Sequence, residues 1–245
     1  MYVKNTTIAG RTQLVRKYHT SRWQKRGLPR SPNKNTTTET QEQANIRRDA
    51  HELTILLNEN FCDDDYHIQL TYKKEERPPD PEEAKADRRR FLRKLRALFK
   101  ENGLPLKYIV LTGYGKRGAP HHHLVISGGV PGSKIAKLWT KGHLHSTSIY
   151  DEDNHEELAW YLAKHRTEWK KHDGKGKMWS KSKNIIRPPS KIEVIKKASS
   201  FSDNPRIPKG WYLDKESLRQ GVNADGYLFQ DYILVKIRPP GRKRE

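Results

Sequence analysis

The sequence predicts an α+β fold: a ferredoxin-like (RRM-like) antiparallel sheet with helices on one face. Short β-branched runs alternate with helical runs in the order β-α-β-β-α-β, the order of the split βαβ unit. A Gly-rich turn separates the two middle strands, which are therefore expected to form a hairpin. A basic arm is expected over residues 1–40 and the main domain, opening with a helix, over 41–195. An extension with one strand and a basic tail is expected over 196–245.

Residues 1–36 are polar and basic, with Arg16-Lys17 and Lys25-Arg26 interleaved with Tyr18 and Trp23. Aromatics among cations suit stacking on bases and contact with phosphates, and a solvated, partly ordered arm fits equally. Thr38 with Gln41 resembles a capping box for a helix over 40–58, whose buried side is Ala50, Leu53, Leu56 and Leu57. His67 to Tyr72 reads as a strand with Ile68, Leu70 and Tyr72 on one face. Residues 81–100 form a helix by the spacing of Phe91, Leu92, Leu95, Leu98 and Phe99, and Gly103 stops it.

Residues 106–112 give the second strand, 114–119 a turn containing Lys116 and Arg117, and His121 to Ser127 the third strand. A short helix over 133–140 and a fourth strand over 142–150 follow. One further helix is expected over 155–169. Residues 170–189 read as a cationic loop with Lys175, Lys177, Lys181 and Lys183 around Trp179. Beyond it, 193–195 suits a strand, 196–209 looks irregular and 227–237 alternates as a strand does.

The 245 residues carry a net charge of +20, which points to a polyanion, nucleic acid before an anionic membrane surface. No apolar run reaches transmembrane length, and Met1 to Gly10 has no signal-peptide core. The single Cys62 offers neither an intrachain disulfide nor a cysteine zinc site, which suits a reducing cytosol. There is no P-loop pattern, so a helicase is expected to be a separate protein.

Two stretches carry chemistry. In Pro120-His121-His122-His123-Leu124, His121 and His123 share one strand face and His122 takes the other. A pair of imidazoles on a rigid strand can bind a divalent metal; a satisfied or solvated strand end fits as well. Tyr161 and Lys164, three residues apart on a helix, share a face. A hydroxyl beside a cation and a metal can act as a nucleophile, while a core aromatic with a polar tip is the plain alternative.

Three motifs in this order carry a resemblance: His67-Ile68-Gln69-Leu70-Thr71-Tyr72, Pro120-His121-His122-His123-Leu124 and Tyr161-Leu162-Ala163-Lys164. The region from about 45 to 189 resembles the rolling-circle replication initiators of the HUH endonuclease superfamily, bacterial and phage-type members above all. The resemblance implies nicking and joining of single-stranded DNA at a replication origin through a 5′-phosphotyrosine. It makes Tyr161 the nucleophile with Lys164 beside it, and His121 and His123 the ligands of Mn2+ or Mg2+. It implies a helicase and a polymerase of host or element as partners. Lys116, Arg117, Lys175, Lys177, Trp179, Lys181 and Lys183 are the expected DNA contacts.

The sequence departs from the pattern twice. Gly113 stands where members commonly carry a glutamate ligand, so either water or another residue (Gln69, His143 or His145) completes the site, or metal binding is weakened. His165 stands where two-tyrosine members carry a second tyrosine, so one tyrosine per site is expected. A non-catalytic nucleic-acid-binding module on the same sheet and an HUH-type transposase are the alternatives.

Overall fold

The computed structural model describes residues 1–21, 39–115, 118–149, 154–172, 177–196, 200–223 and 225–237. Trp23, Thr38, Lys116, Arg117, Lys175 and the basic tail lie outside them.

Two five-stranded antiparallel sheets enclose a central helix. The first sheet has the order β6-β3-β5-β4-β7, with β3 at Tyr66–Thr71, β4 at Tyr108–Tyr114, β5 at Pro120–Ile126, β6 at Leu144–Ser148 and β7 at Trp179–Lys181. The second has the order β8-β1-β2-β10-β9, from β1 (Tyr2–Ala9), β2 (Thr12–His19), β8 (Ser190–Ile195), β9 (Trp211–Val222) and β10 (Leu228–Lys236).

Side-chain alternation divides the first sheet's contacts. Ile68, Leu70, Val110, Leu124 and Ile126 pack on α2 (Pro81–Glu101) and α3 (Gly132–Ala136) through Phe91, Leu95, Phe99 and Ile135. Asp80 opens α2: its carboxylate accepts from Glu83 N at 2.8 Å, with Pro81 in the first turn. Gly103, at φ 67°, lets the chain leave it.

Ile109, Leu111 and Val125 point the other way. They meet Leu53, Leu56 and Leu57 of α1 (Glu39–Asn60) and Ala159, Leu162 and Ala163 of α4 (Glu156–Lys164). Helices therefore cover both faces of this sheet, not one as expected. The physical reason lies in β4, where all seven residues are buried, as a strand covered on both sides requires. Each fully buried leucine of α1 contributes roughly 1.5–3 kcal/mol.

The basic arm also needs correction. Residues 2–19 form a hairpin, with Gly10 at φ 54° as the first residue of a two-residue turn. A β-carbon on Gly10 would lie 2.1 Å from Asn58 O of α1, so glycine is the residue that fits. The cations ride on the strands: Arg16 pairs with Asp231 at 3.1 Å and Lys17 donates to Gln230 at 2.7 Å, both on β10. The C-terminal extension holds β9 and β10 rather than one strand. β10 packs Ile233 and Val235 with Leu14 against Ile55 of α1.

Two local expectations change as well. The cationic loop contains β7, which extends the sheet beyond β4. The single helix expected over 155–169 is split at His165 into α4 and α5 (Arg166–His172).

Candidate active site

The register of three strands sets the site. Gln69 of β3 and Leu111 of β4 flank His123, while Thr71 and Gly113 flank His121. Both histidines therefore lie on the face toward α4, with His67 two residues before Gln69 on the same face.

His122 points to the α2 side and is fully buried. Its Nδ1 lies 3.0 Å from Thr112 Oγ1 and its Nε2 2.8 Å from Tyr72 Oη. Arg88 Nη1 donates to Thr112 Oγ1 at 2.9 Å, which leaves the threonine proton for His122 Nδ1. The Nε2–H tautomer then donates to Tyr72. Burial, then the Arg88 charge, hold His122 well below the ordinary histidine range, so it is a neutral structural pin.

On the opposite face four imidazoles converge. His121, His123 and His165 offer one nitrogen each within 4.8 Å of one another. Their ring centroids are 4.9 Å apart for 121–123, 5.1 Å for 121–165 and 4.4 Å for 123–165. His67 Nε2 lies 3.3 Å from His123 Nδ1. The Nε2 atoms of His123 and His165 are buried and have no hydrogen-bond partner among the described residues. Orphaned, buried imidazole nitrogens turned into one cluster fit a metal ion.

Electrostatics agree with that fit. Burial lowers His67, His121 and His123, and burial with the neighbouring rings of His121 and His67 takes His165 down to about 4. The rings are therefore neutral at physiological pH, the form that donates to a metal. A β-carbon on Gly113 would lie 2.6 Å from His121 Nε2 and 2.9 Å from His165 Nδ1. The place of the missing side chain is thus occupied by imidazole.

Tyr161 stands over this cluster. Its ring centroid is 5.3 Å from His123 and from His165 and 5.9 Å from His67. The side chain is 44% exposed, and burial of the remainder raises its hydroxyl above the ordinary value. Lys164 is exposed one turn further on. Both residues line a cleft of about 920 Å3 whose far wall is β9, through Tyr212, Asp214, Glu216 and Arg219.

Residues 65–169 match a family of replication-associated proteins. That family is typical of rolling-circle replication initiators, as the three motifs suggested. The matched segment runs from the start of β3 into α5 and carries all four clustered histidines and Tyr161. It leaves out α1 and the whole second sheet. No curated protein and no solved structure matches the chain.

Other expected site residues lie beyond the matched segment. Lys177 and Lys181 are exposed and line a cleft of about 590 Å3 with Arg166, Arg187 and Trp179. Trp179 is not a free stacking ring: it packs on the core beside Met178 and Trp169. Lys183 lines a third cleft, about 900 Å3, with Arg96, Lys100, Lys181 and Tyr108.

Of the expected replacements for the missing glutamate, Gln69 stands beside His123 on β3. His143 and His145 are exposed, and His145 stands across from Gln69 on β6. The ring that joins His121 and His123 is His165, which in the sequence marks only the place of a lost tyrosine. Its spacing was a usable signal: i, i+4 from Tyr161 places both on one side of the chain. Among the described residues no helix is long and apolar enough to cross a membrane.

Proposed function

We propose that this chain nicks and rejoins a single strand of DNA at a rolling-circle replication origin, with Tyr161 as the nucleophile. The observation that carries the reading is the position of Tyr161. It is partly exposed, on a cleft wall, with its ring 5.3 Å from two clustered imidazoles. The first sheet's order β6-β3-β5-β4, antiparallel throughout, supports the ferredoxin-like scaffold that such an enzyme uses.

In this reaction the Tyr161 oxygen attacks the scissile phosphorus in line. The bond from phosphorus to the 3′ oxygen breaks, and that oxygen leaves with the electron pair and takes up a proton. The phenolic proton is released to solvent. The product is a 5′-phosphotyrosine and a free 3′-OH, and attack of a 3′-OH on the phosphotyrosine reverses the step. The phosphodiester energy is kept, so cutting needs no nucleotide cofactor.

Lys164, on the same side of α4 and exposed, places a positive charge near the phosphate oxygens where charge develops. A divalent ion held by His121 and His123, Mn2+ or Mg2+ by the resemblance, supplies Lewis-acid stabilisation to the phosphate when bound. The net charge of +20 and the lysines of the two basic clefts support binding of the strand's backbone. The 3′-OH then primes a polymerase, with strand separation left to a helicase of host or element.

The test is capture of a covalent adduct on random single-stranded oligonucleotides with Mn2+, followed by sequencing of the captured pool. The wild type is expected to form the adduct and Tyr161→Phe to lose it. An adduct of wild-type yield with the phenylalanine variant would overturn the nucleophile assignment.

A further inference from the structure

We infer that His165 is the third protein ligand of the site, standing in for the side chain that Gly113 lacks. The resulting three-imidazole set takes a first-row transition ion in preference to Mg2+. The inference rests on the metal-assisted reading above and goes beyond it in naming the ligand and the class of ion.

Space at position 113 is reserved for the ring. Any side chain there starts with a β-carbon 2.9 Å from His165 Nδ1, closer than such contacts ordinarily come. A glutamate there and an imidazole at 165 exclude one another in this arrangement. Glycine on a central strand, where it weakens the strand, is explained by the ring it admits.

That ring also has unmet bonding capacity. His165 Nε2 is buried without a hydrogen-bond partner among the described residues, as is His123 Nε2. Buried atoms of this kind cost free energy unless something binds them. Among the described residues the cluster within 4.8 Å holds imidazoles and no carboxylate.

The donor set selects the class of ion. Mg2+ is a hard ion that keeps water and oxygen ligands in near-octahedral order. Imidazole nitrogen suits later first-row ions, whose affinity rises from Mn2+ through Co2+ to Ni2+. Three histidines with open positions is also the donor pattern of catalytic zinc sites. His67, bonded to His123 Nδ1, supports the set as an outer partner of a metal ligand does.

This arrangement ties the ion to the nucleophile. His165 sits at the C-terminal cap of α4, one turn after Tyr161, and its carbonyl accepts from Trp169 N at 2.9 Å to start α5. A bound ion thus holds the segment that carries the tyrosine.

The experiment is calorimetric titration of Mn2+, Co2+ and Mg2+ into wild type, His165→Ala, His165→Gln and the double variant His121→Ala/His123→Ala. Thermal unfolding with chelator confirms that each is folded, and the glutamine variant keeps the side-chain bulk should alanine not fold. Wild type is expected to bind one Mn2+ or Co2+ per chain, with Mg2+ weaker by on the order of 100-fold. Both His165 variants are expected to lose roughly tenfold or more in Mn2+ affinity and to change the visible absorption of bound Co2+. Wild-type titrations from both His165 variants, with loss only in the double variant, would overturn His165 as a ligand and leave the proposed function standing. Mg2+ binding as tight as Mn2+ would overturn the ion class. Failure of wild type to bind any of the three ions would overturn both the inference and the metal role, while the Tyr161 adduct reports on the nicking reaction separately.

Discussion

His67 Nε2 and His123 Nδ1 are 3.3 Å apart, which joins the first motif to the second by one imidazole–imidazole bond. For His123 Nε2 to carry a free lone pair, its Nδ1 must hold the proton and donate it to His67. His67 therefore selects the tautomer that can bind a metal. His67→Phe is expected to weaken Mn2+ binding by about 10–100-fold, the usual loss when an outer partner of a ligand is removed. Unchanged affinity in a Mn2+ titration would remove His67 from the site.

Gly113→Ala is a small change with a directed effect. Alanine on a strand is ordinarily neutral or slightly stabilising relative to glycine, because it narrows the unfolded ensemble. Here its β-carbon meets His121 Nε2 at 2.6 Å and His165 Nδ1 at 2.9 Å. Metal affinity is expected to fall while the melting temperature in chelator changes little. A variant that binds Mn2+ as wild type does would show that the two rings yield freely.

His122→Phe separates support from ligation. It strips Tyr72 Oη and Thr112 Oγ1 of a buried partner, at an expected cost of about 1–3 kcal/mol. Since His122 faces α2, Mn2+ affinity is expected to hold. Urea unfolding and metal titration on the same variant check both halves, and loss of metal binding at full stability would reverse the assignment.

Without metal, the protein is expected to be acid-labile. His51 is pushed down to about 3 by burial and by Arg16 and Arg187, and His165 to about 4. His67, His121, His122 and His123 are lowered too. Their folded values lie below the unfolded one, so the unfolded chain binds the extra protons. Stability is then full above about pH 6.5 and lost as pH falls toward 4, by up to about 1.4 kcal/mol per pH unit for each such proton. Urea midpoints in chelator that stay level from pH 7 to pH 5 would contradict this.

Much of the first sheet was legible because its strands and α2 keep clean periods: Ile68, Leu70 and Phe91, Leu95, Phe99 announce their faces. The split of His121 and His123 from His122 followed from the same alternation. Of the second sheet, β8 and β10 were legible as strands over 193–195 and 227–237, whereas β1 and β2 were not, because they carry Lys4, Arg16 and Lys17 at positions that pair with other strands, and charge density reads as an arm. β9 was missed for a similar cause: half of its residues are exposed, so its alternation is weak. His165 escaped because a ligand delivered from a helix end across to a strand is a long-range fact, visible only once Gly113 is seen to make room.

The segment shared with replication-associated proteins begins at residue 65, after the end of α1 at Asn60. Yet α1 supplies Leu53, Leu56 and Leu57 to the floor beneath the histidines, and Ile55 to the other sheet. Kinship and foldability therefore have different borders in this chain. A fragment trimmed to the shared motif would carry every reactive group and lack the helix that holds them up. A transplantable unit has to start upstream of α1, and through Ile55 it brings the hairpin of residues 2–19 with it.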